Sequence, residues 1–513
     1  MLVSLPVAFA AILSILIVGF LPIVDPDFFW HLSTGELIRA SGEVPTVDVF
    51  SHTANGRPWA VQGWLSDVVL AGVWNSAGVF GIRALVAILV VLTWVVVYRC
   101  VRLYLARIET AVLLSGVSVA LMAPAVVPRP TLATSLGLAL TLYCLLGFRR
   151  TGRVRWLLAL PPIFAVWVNL HFGFVTGLGL AGLFVVSDLL ARAVPLQFEY
   201  REKGSSLRAG PLSIGILCVL AIGINPHGYG VFAEVIGMIA VNSASPIGEW
   251  QSPSFGSAIG KLVYGAICIY VVARAFAPRS IHWIDLVVPL AVIGAALSAQ
   301  RHVSLMGIAL VPFVARALAD WSSVTAAKPA RRDAPASVRA AKRELSTRAA
   351  SLVNLALVLV VAVGTLVAAP FAERHFAIRQ RVLQPEGAAD FVLRHDLEGR
   401  IFNTYNGGGY LINRLFPRQF VFIDGRYNPY PKELIDDYFT IVNGKPDWFV
   451  TLERYQIDIV LSETDAHFRQ SMLQRKEFRL VYEDREFSVL VRDIERFRAL
   501  PSVEPSLDRA VPD

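Results

Sequence analysis

Residues 5–31 read LPVAFAAILSILIVGFLPIVDPDFFWH, a long apolar run that ends abruptly in two carboxylates and an imidazole, Asp25, Asp27 and His31. A helix needs roughly 20 apolar residues to cross the hydrocarbon core of a bilayer. Ionised groups at the point of exit are costly to keep, so their presence here points to chemistry at the bilayer surface. The run has neither the basic leading region nor the small-residue cleavage site of a signal peptide, and it is expected to be retained as a span.

Working outward, ten more apolar segments follow, and the eleven together cover about 4–22, 79–98, 109–126, 131–148, 154–170, 172–191, 211–225, 258–276, 282–298, 302–319 and 351–369. With 55% hydrophobic and 17% charged residues among 513, the composition excludes an ordinary soluble protein. The expected fold class is a polytopic α-helical membrane protein of about eleven spans carrying a small C-terminal α/β domain.

Lys and Arg concentrate in alternate loops: Arg99 to Arg107, Arg149 to Arg155, Arg192 to Arg208, Arg274 and Arg279, and the stretch Lys328 to Arg348. Loops of that kind stay cytoplasmic. The N-terminus is therefore expected inside, in the inner (plasma) membrane, with the loop bearing Asp25 and Asp27 and the C-terminal domain on the periplasmic or extracellular side. The net charge of +8 is read as this topology signal plus attraction to anionic lipid, with no nucleic-acid partner. The four cysteines sit in or beside apolar segments without metal-like spacing and read as packing residues.

The chain divides into a membrane core at 1–320 with an outer loop at 23–78, a basic cytoplasmic linker at 321–350, a last span at 351–370 and a periplasmic α/β domain at 371–513. In that domain, strands are expected at 400–405, 419–424, 457–461, 478–483 and 486–491 among helical stretches near 386–396, 431–442 and 446–455. Asn406-Gly407-Gly408-Gly409 reads as a turn opening a helix, suited either to cradling an anion on backbone N–H groups or simply to turning tightly. Asp424-Gly425-Arg426, at a strand end, reads as a structural or acceptor-recognition element.

Candidate site residues gather in the predicted outer loops. Asp25 and Asp27 open the first loop, and either could serve chemistry or cap the following helix. His31 lies four residues past Asp27, a spacing that on a helix gives one shared face, fit for a hydrogen bond or for a metal held by Asp25, Asp27 and His31. Asp48 and His52 repeat that spacing. Trp64, in Gln62-Gly63-Trp64-Leu65, suits a sugar floor or an interfacial anchor. Further outer ends of spans supply Arg129, His171, His227, Glu249, Trp250, Arg301 and His302. All of these are expected to converge on one extracytoplasmic pocket.

The topology with an acidic pair in the first outer loop resembles the GT-C superfamily of membrane glycosyltransferases, which includes protein O-mannosyltransferases and lipid A aminoarabinose transferases. Asp27-Phe-Phe-Trp-His31 with Gly35, the stretch Pro45/Asp48/Phe50-Ser51, Asn169-Leu-His171, Asn225-Pro-His-Gly228, Gly408-Gly-Tyr410-Leu and Phe422-Ile-Asp424-Gly-Arg426 are similar to a little-characterised bacterial branch. The resemblance implies transfer of a sugar from a polyprenyl-phosphate-linked donor to a glycan, lipid or protein acceptor at the outer membrane face. An acid of the first outer loop, Asp25 or Asp27, would then be base or metal ligand. Such chemistry needs a base for the acceptor hydroxyl and a cation for the departing phosphate. Arg129, Arg301 and His302 are the cations in place for the phosphate, and His31, Asp48, His52, Trp64, His171, His227, Glu249 and Trp250 would line the pocket. A divalent cation is admitted but not specified by two carboxylates and one His. Two other classes stay open: a transporter or lipid flippase, which would show flux without product, and a non-catalytic assembly protein, which would tolerate substitution in the acidic loop.

Overall fold

The computed structural model describes residues 3–196, 203–242, 248–277, 281–325, 336–426 and 428–505, and at 239–242, 322–325, 336–346 and 372–383 it describes the backbone alone. Arg201, Arg279 and part of the basic stretch from Lys328 lie outside the described residues. The chain forms two compact units. One comprises Met1–Leu21, Val79–Phe232 and Asn242–Ala369, and the other Pro22–Gly78, Ala233–Val241 and Pro370–Asp513.

The first unit is helical throughout. Every apolar segment of the sequence coincides with a helix, and among the described residues seven helices are long and apolar enough to cross a membrane: Trp64–Arg102, Ile108–Ala125, Thr131–Thr151, Phe174–Ala193, Ala258–Ala275, Gln300–Trp321 and Thr347–Phe371. Shorter apolar helices are Leu5–Phe20, Val154–Leu170, Ala209–Ile222, Gly228–Met238 and Ile284–Ser298. Thr131–Thr151 and Gln300–Trp321 are the most enclosed, whereas Thr347–Phe371 is almost wholly peripheral. Trp64–Arg102 is interrupted at Gly78, whose φ of 53° is open to glycine at little cost, and the boundary between the units falls there. A second boundary falls at Pro370, inside the helix Ala336–Leu383. That helix includes 336–350, which the sequence assigned to a linker.

Three arginines of this unit are buried ion-pair partners, and two of them, Arg149 and Arg274, read as loop charges in the sequence. Arg149 pairs with Asp188, which also accepts from the backbone N–H of Ser206 at 2.5 Å. Arg316 pairs with Asp285 at 3.2 Å, and Arg274 faces Asp320 at 3.7 Å. Charges in an apolar core persist only when matched in this way. Arg149 and Asp188 lie at the helix ends opposite Arg129 and His171.

The second unit joins the first outer loop to the C-terminal domain. Its sheet has the order β1-β2-β4-β3, with β1 Ile401–Asn403, β2 Ile459–Glu463, β3 Phe478–Glu483 and β4 Phe487–Arg492. β1 and β2 are parallel, and the other pairs are antiparallel. The expected strand at 419–424 is not part of this sheet. Asn403 takes its backbone instead, accepting from Phe422 N–H at 2.7 Å and donating to the Ile423 carbonyl at 2.8 Å. On the other side Val421 pairs with the first loop through Phe50 and His52, and Thr53 donates to the Phe422 carbonyl at 2.5 Å.

Arg426 fixes this union. Wholly buried, it makes a two-pronged contact to Asp424, with Nε to Oδ1 and Nη2 to Oδ2 both at 2.8 Å, and its Nη1 reaches Asp48 Oδ1 at 2.5 Å. The guanidinium also lies 4.6 Å from the Trp59 ring centroid and 5.1 Å from that of Phe50. Burial alone would depress its pKa, but Asp424, Tyr430 and Asp48 raise it well above the usual value. Burial and Asp424 likewise keep Tyr430 a neutral phenol, which donates to Asp424 at 2.5 Å. Removing one partner of a buried ion pair costs about 3–5 kcal/mol because the other charge is stranded. Arg426→Leu is accordingly expected to lower the unfolding midpoint of the detergent-solubilised chain and to open 42–63 to protease. A midpoint and cleavage pattern equal to the parent protein would contradict this role.

Candidate functional site

Within the second unit, the acidic run folds as a turn entering the helix Phe28–Ser41. Asp25 is buried, and its Oδ1 accepts from Asp27 N–H at 2.9 Å. That is helix-entry work of the kind Asp performs through short side-chain-to-backbone bonds. Asp27 is half-buried, and its carboxylate lies against Gly425: a Cβ built there would fall 1.9 Å from Asp27 Oδ1. The same helix meets Tyr405–Leu415 of the C-terminal domain. A Cβ on Gly409 would fall 2.4 Å from the Pro26 carbonyl, and Asn413 donates to Ser33 Oγ at 3.1 Å. The glycines of 407–409 thus lie within the helix Tyr405–Leu415, where they permit close approach, and do not form the expected turn ahead of it.

His31 is buried, and its Nδ1 lies 2.7 Å from Asp67 Oδ1. The spacing to Asp27 had suggested a different partner. Asp67 was missed, although a lone acid in the otherwise apolar helix starting at Trp64 is the kind of signal that marks such a residue. Asp25, Asp27 and His31 do not assemble as the expected trio: among the described residues, no three His, Cys, Asp or Glu side chains group as metal ligands.

Two other members of the proposed pocket set have structural partners. Asp48 is fully enclosed, accepting from Phe50 and Ser51 N–H at 3.1 Å besides Arg426, and it presents no surface to a ligand. Residues 47–53 are not helical, so the i, i+4 spacing to His52 does not give a shared face. The His52 Nε2–H donates to the Ile401 carbonyl at 2.9 Å. Trp64 begins its helix half-buried.

The first unit carries a separate cluster. Arg129 Nη1 lies 3.4 Å from Glu249 Oε2, and Arg301 Nη1 lies 3.7 Å from Oε1 of the same carboxylate. Arg301 stacks 4.0 Å from the Trp250 ring centroid. Gln300 N–H bonds the Gln251 carbonyl at 2.9 Å, which ties the two segments together. Two guanidiniums straddling one exposed carboxylate can exchange it for another anion, and their planar forks suit phosphate. His302, next in sequence, turns Nδ1–H to the Ala295 carbonyl at 3.0 Å. His171 Nδ1 meets Thr134 Oγ1 at 2.7 Å and accepts from Gly173 N–H at 3.0 Å, and Trp167 Nε1–H donates to the same Thr134 at 3.1 Å. His227 is half-buried, its backbone N–H bonded to Asn225 Oδ1 at 2.8 Å.

Burial lowers the His52 pKa from its usual 6.5. Its neutral form is therefore favoured by folding, and this stability is present in full above the unfolded value and lost as pH falls below about 6.5 toward the folded value. His52→Gln should flatten the acid side of the stability profile over that window, as read by unfolding midpoints across pH; an unchanged slope would exclude His52 as its source.

No family model matches the chain, and no curated protein matches it. Solved structures do. ArnT from Cupriavidus metallidurans bound to undecaprenyl phosphate aligns with a TM-score of 0.54 at 16% identity, covering 95% of this chain and 97% of that one. The oligosaccharyltransferase AglB from Archaeoglobus fulgidus, in complex with an inhibitory peptide and a dolichol-phosphate, aligns with a TM-score of 0.52 at 11% identity, covering 94% and 73%. At these identities the likeness speaks to architecture: over nearly its whole length the chain shares the fold of these two membrane proteins.

Proposed function

We propose that this protein is a glycosyltransferase that moves a sugar from a polyprenyl-phosphate-linked donor to a glycan, lipid or protein acceptor at the outer face of the inner membrane. The observation that carries the reading is the end-to-end likeness to an ArnT captured with undecaprenyl phosphate. The local geometry supports it. Asp27, half-buried and set against Gly425, is assigned as the base, while Asp25, occupied at the helix entry, is assigned a positioning role. Arg129 and Arg301 are assigned the donor phosphate, which would take the place of the Glu249 carboxylate. In the reaction the acceptor oxygen bonds the anomeric carbon as the bond from that carbon to the phosphate oxygen breaks. The electron pair leaves on the lipid phosphate, and the acceptor's proton passes to Asp27.

A positioned general base contributes roughly 10²–10⁴-fold to rate. Asp27→Asn is therefore expected to lower sugar transfer by at least about 100-fold. Asp25→Asn should retain transfer and lose about 1 kcal/mol of stability. The measurement is incorporation of labelled sugar from the polyprenyl-phosphate pool in host membranes carrying each variant in place of the parent chain. Full incorporation by Asp27→Asn would refute the assignment.

The reading includes eleven spans with the N-terminus cytoplasmic and the acidic loop and C-terminal domain outside, supported by the distribution of Lys and Arg. Arg57 and Arg153 are both exposed. In intact cells, Arg57→Cys should react with an impermeant maleimide, and Arg153→Cys should react only after permeabilisation. The reverse pattern would invert the orientation.

A further inference from the structure

Between the start of the helix Glu386–Arg394 and the turn joining β3 to β4 lies a cavity of about 360 Å³. Pockets that take small molecules have volumes of roughly 300–1,000 Å³. Its place in the sheet is one where α/β domains hold ligands, outside the carboxyl ends of parallel strands. β2 ends at Glu463, which pairs with Phe487 of the cavity wall, and Thr464 N–H bonds the Glu486 carbonyl at 2.8 Å. On the β1 side, a Cβ on Gly407 would fall 3.6 Å from Cγ of Pro385, the residue that leads into Glu386. The walls are held in place. Asp484 Oδ1 accepts from Glu486 and Phe487 N–H at 2.8 and 2.7 Å, and its Oδ2 accepts from the Tyr482 hydroxyl at 2.8 Å. A Cβ on Gly387 would fall 2.6 Å from Asp484 Oδ2, so the helix and the turn are in direct contact there.

The lining offers acceptors and donors together. Four carboxylates, those of Glu386, Asp390, Asp484 and Glu486, line it with the Gln384 amide and the Arg485 guanidinium. Glu386 and Arg485 are exposed, so the cavity can be entered from solvent on their side. Asp390 is bonded to Arg414 and Asp484 to its own turn, but an ionised carboxylate has about four lone-pair sites, and each can still accept. Three ligand classes fit poorly. An anion would meet four carboxylates and one guanidinium. A metal ion needs acids converged on a point, and among the described residues no three group as metal ligands. An apolar molecule would strip water from these charges and return no hydrogen bond. Dispersed acceptors with a few donors suit a ligand whose own hydroxyls are dispersed over a ring.

We propose that this cavity binds a saccharide and holds the acceptor glycan during transfer. The carboxylates accept from its hydroxyls. Arg485 and one N–H of the Gln384 amide donate to its oxygens, the other N–H being bonded to the Ile23 carbonyl at 3.1 Å. Asp27 does not line the cavity, so the sugars held here are units of the acceptor other than the one that reacts. Of the acceptors open to the proposed function, a glycan is the one this cavity fits, and its role as an acceptor site rests on that function.

The test uses the full chain in nanodiscs, titrated by calorimetry with maltotriose, cellotriose, mannotriose and chitotriose, and with cadaverine as a simple cation. At least one trisaccharide should bind saturably, and cadaverine should not. Glu386→Ala combined with Arg485→Ala changes two exposed side chains, so the unfolding midpoint should stay at the parent's. Trisaccharide binding should weaken about tenfold or more in that double variant, the effect of lost hydrogen bonds to charged groups. In the membrane transfer assay the trisaccharide that binds should compete with the host's own acceptor, and the double variant should need about tenfold more of it for the same inhibition. The proposal is overturned if no trisaccharide binds, if the double variant binds as the parent does, if cadaverine alone binds, or if the bound trisaccharide does not compete. If membranes carrying the parent chain transfer no sugar while the double variant still loses trisaccharide binding, the transferase reading fails and the saccharide site stands. If Asp27→Asn abolishes transfer while no trisaccharide binds the parent chain, the site fails and the transferase reading stands.

Discussion

A single buried guanidinium organises the second unit. Arg426 has no exposed surface and meets Asp424 two-pronged and Asp48 end-on, so it joins positions that are 378 residues apart in sequence. A buried charge holds its place only where its geometry is fully answered, and here aromatic faces and a phenol complete the shell. The consequence reaches beyond stability. Gly425 is bonded to Arg426, so whatever fixes the guanidinium also fixes the backbone against which Asp27 rests. The loop that carries the acids and the domain at the far end of the chain are, in packing terms, one body.

Much of this architecture was legible. Apolar runs of bilayer length declare themselves whatever they pack against, which is why each predicted segment has its helix. The strands at 401–403, 459–463, 478–483 and 487–492 were readable from their alternation and β-branched content. The segment 419–424 carries the same signature, but the signature says only that a chain is extended and half-covered, not which neighbour covers it. The claim of Asn403 and residues 50–53 on its backbone comes from sequence distances that no local pattern encodes. Gly407-Gly408-Gly409 misled for a related reason. Glycine marks both turns and close approaches, and which of them applies depends on what arrives from elsewhere, here Pro26 and Ile423.

The candidate site was legible in membership more than in pairing. Spacing tied His31 to Asp27 and Asp48 to His52, yet the partners found are Asp67, Arg426 and a backbone carbonyl. Periodicity describes neighbours on one element, and a buried ionic group is paired across elements, because its charge must be matched from the side where water has been removed. Arg149 and Arg274 make the same point in the membrane unit. They counted as loop charges because Lys and Arg at span ends usually are, and they proved to be enclosed against Asp188 and Asp320.

Partnership rather than position therefore sorts the acids. Asp48, Asp67, Asp188, Asp285 and Asp424 each meet a cationic or imidazole partner in the interior, and Asp25 is engaged by a backbone N–H at the helix entry. Groups so committed can change protonation only by stranding a neighbour, which makes them poor proton carriers. Asp27 is half-buried, with its carboxylate packed against Gly425. Glu249 sits differently again, exposed and shared at 3.4 and 3.7 Å by two guanidiniums, distances at which the contact is loose enough to be exchanged.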